Sequence, residues 1–184
     1  MSDDQKISII ILAGGKSSRM GQDKGLMILN GKAMIENIIS TAKKITDQII
    51  IVANNPEYKK FGHKVIEDIF PGKGPLGGIY TGLKSSTTEK NIILSCDVPF
   101  IKKELLEFIL SESGDNDITV PVFETKIHPL IGVYSKQCLN VILDNIQKDK
   151  LKVTGIFDDL VTKQIDVNAF DPSNFRNINS AEDL

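Results

Sequence analysis

Cysteine is scarce in this chain of 184 residues. Cys96 and Cys138 lie far apart, with no CxxC pair and no second cluster of metal ligands. Two such residues support neither a disulfide framework nor a zinc site, and both are expected to be buried thiols of a reducing compartment. Histidine is as rare, with His63 and His128 alone, and no G-x-S-x-G nucleophile elbow is present. Long apolar runs are missing too. The run over residues 7–13 is too short to span a bilayer and stops at Gly14. Met1-Ser2-Asp3-Asp4 is acidic where a secretory signal would be basic, and neither end carries a lipidation motif. The expected setting is the cytoplasm, with no membrane contact. Basic excess is absent as well: 22 Lys and Arg stand against 24 Asp and Glu, a net charge of −2. A protein that rides a nucleic-acid backbone needs the opposite balance. With no repeat, low-complexity tract or linker, residues 1–184 read as one domain.

What is present is an alternation of short β-branched runs and longer helical patterns. Residues 7–12 form a near-continuous apolar run bounded by Gly14-Gly15, as a strand covered on both faces would. Residues 33–45 place Met34, Ile35, Ile38, Ile39, Ala42 and Ile45 on one helical face, with Lys43 and Lys44 outside it. Further strands are predicted over 48–53, 64–67, 91–95, 118–122, 130–134 and 161–167. Helices are predicted over 76–84, 102–110 and 136–147. Asn179, followed three residues later by Glu182, reads as a helix start. This order implies right-handed βαβ units and a mostly parallel sheet with helices on both faces.

Ligands of such sheets sit beyond the carboxyl ends of the strands, so the loops over 13–25, 68–78 and 96–100 carry the chemistry. The first has four glycines, Gly14, Gly15, Gly21 and Gly25, and Lys16, Arg19 and Lys24 against Asp23. A cationic, glycine-rich concavity presents N–H groups to an anion and suits a polyphosphate. It is not a P-loop, because that motif requires a glycine where Ile10 stands. Gly72-Lys73-Gly74-Pro75-Leu76-Gly77 satisfies G-x-G-x-x-G, with Asp97 about twenty residues on. Pro75, however, removes an N–H where pyrophosphate would be bound, which argues against a dinucleotide-dependent oxidoreductase. Asp97 follows the strand over 91–95, where a carboxylate can hold Mg²⁺ against substrate phosphates. Asp68 ends the strand over 64–67 and is available to accept from a base or ribose, or to cap a turn. His128-Pro129 precedes another strand, and His63 lies on a surface turn.

Leu12-Ala13-Gly14-Gly15, Arg19-Met20-Gly21 and Asp23-Lys24 resemble the signature L-A-G-G-x(3)-R-M-G-x-D-K of nucleotidyltransferases of the sugar-nucleotide and molybdenum-cofactor type. Within that superfamily the chain most resembles the molybdenum cofactor guanylyltransferases. Asn30-Gly31-Lys32, Val65-Ile66-Glu67-Asp68, Gly74-Pro75-Leu76-x-Gly78, Cys96-Asp97-x-Pro99, His128-Pro129 and the segment over 177–184 match in family order. The resemblance implies a Rossmann-like three-layer α/β/α sandwich, with nucleotide bound by the N-terminal part and acceptor by the C-terminal part. It also implies transfer of GMP from GTP to molybdenum-bearing molybdopterin, with Mg²⁺ as cofactor. Leu12, Ala13, Gly14 and Gly15 then match the nucleotide-contacting stretch, Arg19 the signature arginine and Lys24 the phosphate-binding lysine. Asp68 matches the GTP-contacting aspartate and Asp97 the Mg²⁺ ligand. His128, Asn177 and Asn179 match the pterin side. Some relatives place a base-contacting asparagine where this chain has Val52, with Asn54 two residues on.

The chemistry of the residues agrees with that reading. An anionic phosphate must reach an α-phosphorus that itself carries negative charge, so positioning and neutralisation dominate and no covalent catalysis or general base is needed. A monomer in transient contact with cofactor-biosynthesis proteins or apo-molybdoenzymes is expected. A molybdopterin cytidylyltransferase, a sugar-phosphate nucleotidyltransferase and a non-catalytic GTP-binding partner of molybdenum enzymes are the alternatives.

Overall fold

Ile9, Ile10 and Ile11 have no solvent exposure at all, the condition a strand meets only when both faces of its sheet are covered. The computed structural model describes residues 7–14, 23–178 and 183. Its strands are β1 (Ser8–Leu12), β2 (Ile28–Leu29), β3 (Lys32–Ala33), β4 (Ile49–Val52), β5 (Lys64–Ile66), β6 (Lys90–Ser95), β7 (Ile118–Phe123), β8 (Lys126–Ile127), β9 (Ile131–Ser135) and β10 (Thr162–Asp166). The helices are α1 (Met34–Ala42), α2 (Gly74–Ser85), α3 (Lys103–Ser111) and α4 (Leu139–Gln147). The main sheet runs β10-β7-β9-β6-β1-β4-β5, with β8 hydrogen-bonded to β7.

Alternation along β1 divides the core. Ile9 and Ile11 face α1 and α3, where Ile35, Ile38, Leu105 and Ile109 cover them. Ile10 and Leu12 face α2 and α4, under Leu76, Ile79, Leu83, Ile142 and Ile146. Two helices on each side of one sheet give the expected three-layer α/β/α sandwich. β1 pairs in parallel with β4 and β6, β4 with β5, and β10 with β7. β9 is the exception, antiparallel to both β6 and β7. No helix separates β7 from β9, and a parallel return needs a crossover of a dozen residues or more. The chain instead turns through Glu124, whose φ is 55°, pairs β8 with β7, and re-enters the sheet reversed.

The predicted strands and helices over 7–167 all form, with ends shifted by up to three residues in either direction. Helix 136–147 is split into a 3-10 turn (Lys136–Cys138) and α4. The β2–β3 hairpin was not anticipated. Its turn is Asn30-Gly31, with φ of 52° and 82°, the left-handed pair that a tight hairpin demands. The expected helix start at Asn179 lies outside the described residues. Just before it the chain docks: the Lys102 N–H donates to Asn174 Oδ1 at 2.7 Å and the Ile178 N–H to the Asp97 carbonyl at 2.8 Å. Phe175 stacks on Phe123 at 4.6 Å and meets the His128 ring at 4.7 Å. At the amino edge, Ser8, Ser86, Thr88 and Asn91 hydrogen-bond among themselves. Cys96 and Cys138 are free and buried, as expected. No helix among the described residues is long and apolar enough to cross a membrane.

Removing a buried side chain between sheet and helix leaves a cavity. Leu83→Ala should cost about 2–5 kcal/mol in urea unfolding, whereas Val161→Thr, at a position 63% exposed, should stay within about 0.5 kcal/mol. A second prediction concerns pH. Burial, with Lys126 beside His128 and Lys43 beside His63, holds both imidazoles below their ordinary value of 6.5; Asp47 opposes the shift at His63. Folding therefore favours their neutral forms, so their contribution is full above pH 6.5 and is lost as the pH falls through the lowered folded values. Stability should therefore fall as the pH drops below about 6.5, and fall less in the His63→Gln/His128→Gln variant.

Candidate active site

Strand ends at the carboxyl edge are locked to one another before any side chain acts. The Ala13 N–H donates to the Val52 carbonyl at 2.9 Å, Ala53 N–H to Ile66 O at 2.9 Å, and Cys96 N–H to Leu12 O at 3.1 Å. The chain over 12–14 thus leaves the sheet with β4 on one side and β6 on the other. Leu12 and Ala13 are buried, and among the described residues a side chain built at Gly14 would meet only Val52 O, at 3.9 Å. Gly15, Arg19 and Asn179 lie outside the described residues.

Lys24 opens a 3-10 turn (Lys24–Leu26) and is half-buried. The preceding carboxylate, Asp23, accepts from the Tyr58 hydroxyl and from Asn55 Nδ2 at 3.3 Å. Tyr58 is fully buried, and burial followed by the Asp23 bond pushes its phenol well above the ordinary range. Gly25 lies against the hydroxyl end of Tyr58, where a side chain would collide with the hydroxyl and stand 3.2 Å from two ring carbons. The turn carrying Lys24 is thereby tied to the segment after β4.

Asp97 follows β6 and is half-buried, with its carbonyl holding Ile178. Its neighbour Cys96 reports the local charge. Burial first, then Asp97 and Asp23, push that thiol up to about 12, and Lys24 opposes them. Asp23, Lys24 and Asp97 thus lie near enough to one buried sulfur to act on it electrostatically. Among the described residues no group of three or more His, Cys, Asp or Glu is arranged to hold a metal. A single carboxylate beside substrate phosphates suits Mg²⁺, which keeps several waters and seldom uses an all-protein cage.

Asp68 both caps a turn and faces the edge. Its Oδ1 accepts from the Phe70 N–H at 3.0 Å and the Thr81 hydroxyl at 2.9 Å, and its own N–H donates to Asn54 Oδ1 at 2.9 Å. Val52 is 2% exposed and packed under α2, whereas Asn54 is exposed at the edge. Asn54, not Val52, therefore carries the exposed amide beyond β4, and its Oδ1 is engaged by the Asp68 N–H. The G-x-G-x-x-G match follows β5, a three-residue edge strand, and Pro75 sits in the first turn of α2, so the dinucleotide motif lacks its strand and its donor.

His128 and Asn177 belong to one assembly. The His128 ring packs on Phe175, and Asn177 is exposed beside Ile178, which is fastened to Asp97. His63 is remote from this edge, at the amino end of β5. Sequence reasoning missed Tyr58, Asn55 and Thr81. Asn55-Pro56 is a turn initiator that could have flagged the first pair. Thr81 was signalled only as a polar residue inside an otherwise apolar helix.

The model of the MobA-like NTP transferase domain matches residues 9–160. A protein of Flavobacterium johnsoniae, named a probable molybdenum cofactor guanylyltransferase, is 41% identical over 98% of this chain and 95% of its own. The molybdenum cofactor guanylyltransferase of Desulfosudis oleivorans is 35% identical over 95% and 91%. In structure, molybdopterin-guanine dinucleotide biosynthesis protein A from Archaeoglobus fulgidus superposes with a TM-score of 0.81 and 23% identity, covering 96% of this chain and 94% of that one. With the fold, the strand-end loops and the family model in agreement, the chain belongs to the MobA-like NTP transferase family.

Proposed function

We propose that this protein transfers GMP from GTP to the phosphate of molybdenum-bearing molybdopterin, releasing pyrophosphate. The observation that carries the proposal is the placement of Asp68 and Asp97 on opposite sides of Gly14 along one sheet edge. β5 and β6 are separated by β4 and β1, so three inter-strand spacings set their ends roughly 14 Å apart. That span accommodates a nucleoside triphosphate laid across the edge, with its base toward Asp68 and its phosphates toward Lys24 and Asp97. The names of the relatives supply the guanylyl group and the molybdenum cofactor.

Lys24, with Arg19 of the same loop, neutralises the triphosphate. The backbone at Ala13 and Gly14 allows close approach. His128 and Asn177, linked through Phe175 and Ile178, flank Asp97 on the side where the pterin phosphate must arrive. Asp97 would hold Mg²⁺, which when bound supplies positive charge to the phosphates and the departing pyrophosphate. An oxygen of the acceptor phosphate bonds to the α-phosphorus, and the bond from that phosphorus to the β-bridging oxygen breaks. The acceptor is already ionised near neutral pH, so His128, whose imidazole is held in the neutral form, has no proton to take. The same reading carries a cytoplasmic monomer in transient contact with cofactor-biosynthesis proteins or apo-molybdoenzymes.

Two substitutions test the assignment through pyrophosphate release from GTP with loaded molybdopterin. Asp97→Asn should leave the fold intact and abolish Mg²⁺-dependent turnover, because an amide is a poor ligand for a hard cation; a rate and metal affinity within about threefold of wild type would reduce Asp97 to a turn residue. Lys24→Ala should weaken nucleotide binding and rate together, by roughly 2–5 kcal/mol for a desolvated charge contact. His63→Ala is the control and should change neither; equal effects at the two positions would show the site to be misplaced.

A further inference from the structure

Loop 68–70 is fastened to α2 by a side chain that the reaction itself does not require. Thr81 is completely buried. A threonine inside a helix commonly returns its hydroxyl proton to the carbonyl one turn back. Here the one proton goes to Asp68 Oδ1, at 2.9 Å, while the Thr81 hydroxyl oxygen itself accepts from the Ile69 N–H at 3.0 Å. The Phe70 N–H is the second donor to Oδ1. One turn before Thr81, Gly77 lets the loop lie against the helix: a Cβ there would stand 2.9 Å from the Phe70 carbonyl oxygen. Phe70 packs edge-on against Tyr80 at 5.3 Å, and Asn54, two residues past β4, accepts from the Asp68 N–H.

These contacts leave the Asp68 carboxylate little freedom to turn. Oδ1 is occupied by two donors, and rotation about the carboxylate would break both. Among the described residues, Oδ2 makes no hydrogen bond and is the oxygen left for a ligand. Guanine presents N1–H and N2–H₂ donors on its pairing edge, whereas cytosine offers one exocyclic amino group there. Selectivity built on buried hydrogen bonds depends on how firmly the acceptor is held. Resting on the reading that Asp68 meets the base, we propose that Thr81 is a positioning residue that aims Asp68 Oδ2 at the bound nucleotide and so sets the preference for guanine over cytosine.

Calorimetric binding of MgGTP and MgCTP to the full chain tests this. Thr81→Val keeps the side-chain shape and removes the hydroxyl, Thr81→Ala removes both, and Thr81→Ser keeps the hydroxyl. The Val and Ala variants should each weaken GTP binding by about tenfold and CTP binding by less than about twofold, while Ser retains the wild-type ratio. Thermal midpoints of the Val and Ala variants should differ while their selectivity loss is the same, which packing alone would not produce. In an Asp68→Ala background, Thr81→Val should add nothing to the GTP defect. If Asp68→Ala lowers the GTP/CTP ratio and Thr81→Val and Thr81→Ala do not, Thr81 merely packs and the inference is overturned. If Asp68→Ala leaves the ratio unchanged, the reading of Asp68 as a base contact falls, and the role of Thr81 with it.

Discussion

The carboxyl end of β1 is the point on which the rest depends. Its residues are buried on both faces and paired in register on both sides, so Ile10 sits opposite both Ile50 and Ile93. A strand held this way cannot slip by one residue without exchanging the two halves of the core. The consequence reaches the site: Ala13 and Gly14 emerge at one fixed height, between the ends of β4 and β6. Everything that is to meet a nucleotide there is placed relative to that exit.

Each charged group at the edge is held by a neighbour from a different loop. Tyr58 and Asn55, after β4, hold Asp23 and with it the turn of Lys24. Thr81, on α2, holds Asp68. Ile178, near the end of the chain, holds the Asp97 backbone. This cross-bracing suits a transfer between phosphates, where catalysis consists of bringing like charges together in a preorganised field. It also explains why the chain needs no reactive cysteine. Cys96 is buried directly before Asp97, and its thiol is pushed up to about 12, far from a nucleophilic state.

Much of this was legible in the sequence. The run of isoleucines over 9–11, the amphipathic pattern over 33–45 and the strand-end positions of Asp68 and Asp97 follow from periodicity and from the rule that ligands sit at strand carboxyl ends. Other parts were not legible for physical reasons. The reversal of β9 is set by a short turn at Glu124, a residue with no strong preference for positive φ. Tyr58 reads as an ordinary aromatic until tertiary packing brings its hydroxyl to Asp23, thirty-five positions earlier in the chain. Thr81 is likewise a helix residue whose partner, Asp68, lies thirteen positions away in another element. Val52 and Asn54 differ by a two-residue offset at a strand end, which spacing alone cannot resolve.

The central claim is that this edge is built around one nucleotide, with guanine toward Asp68 and phosphates toward Lys24 and Asp97. The most direct measurement offers the four Mg-nucleoside triphosphates in turn, with molybdenum-loaded molybdopterin, and scores pyrophosphate release. The account predicts turnover with GTP and little with ATP, CTP or UTP. Equal turnover with CTP, or none with any nucleotide, would contradict it.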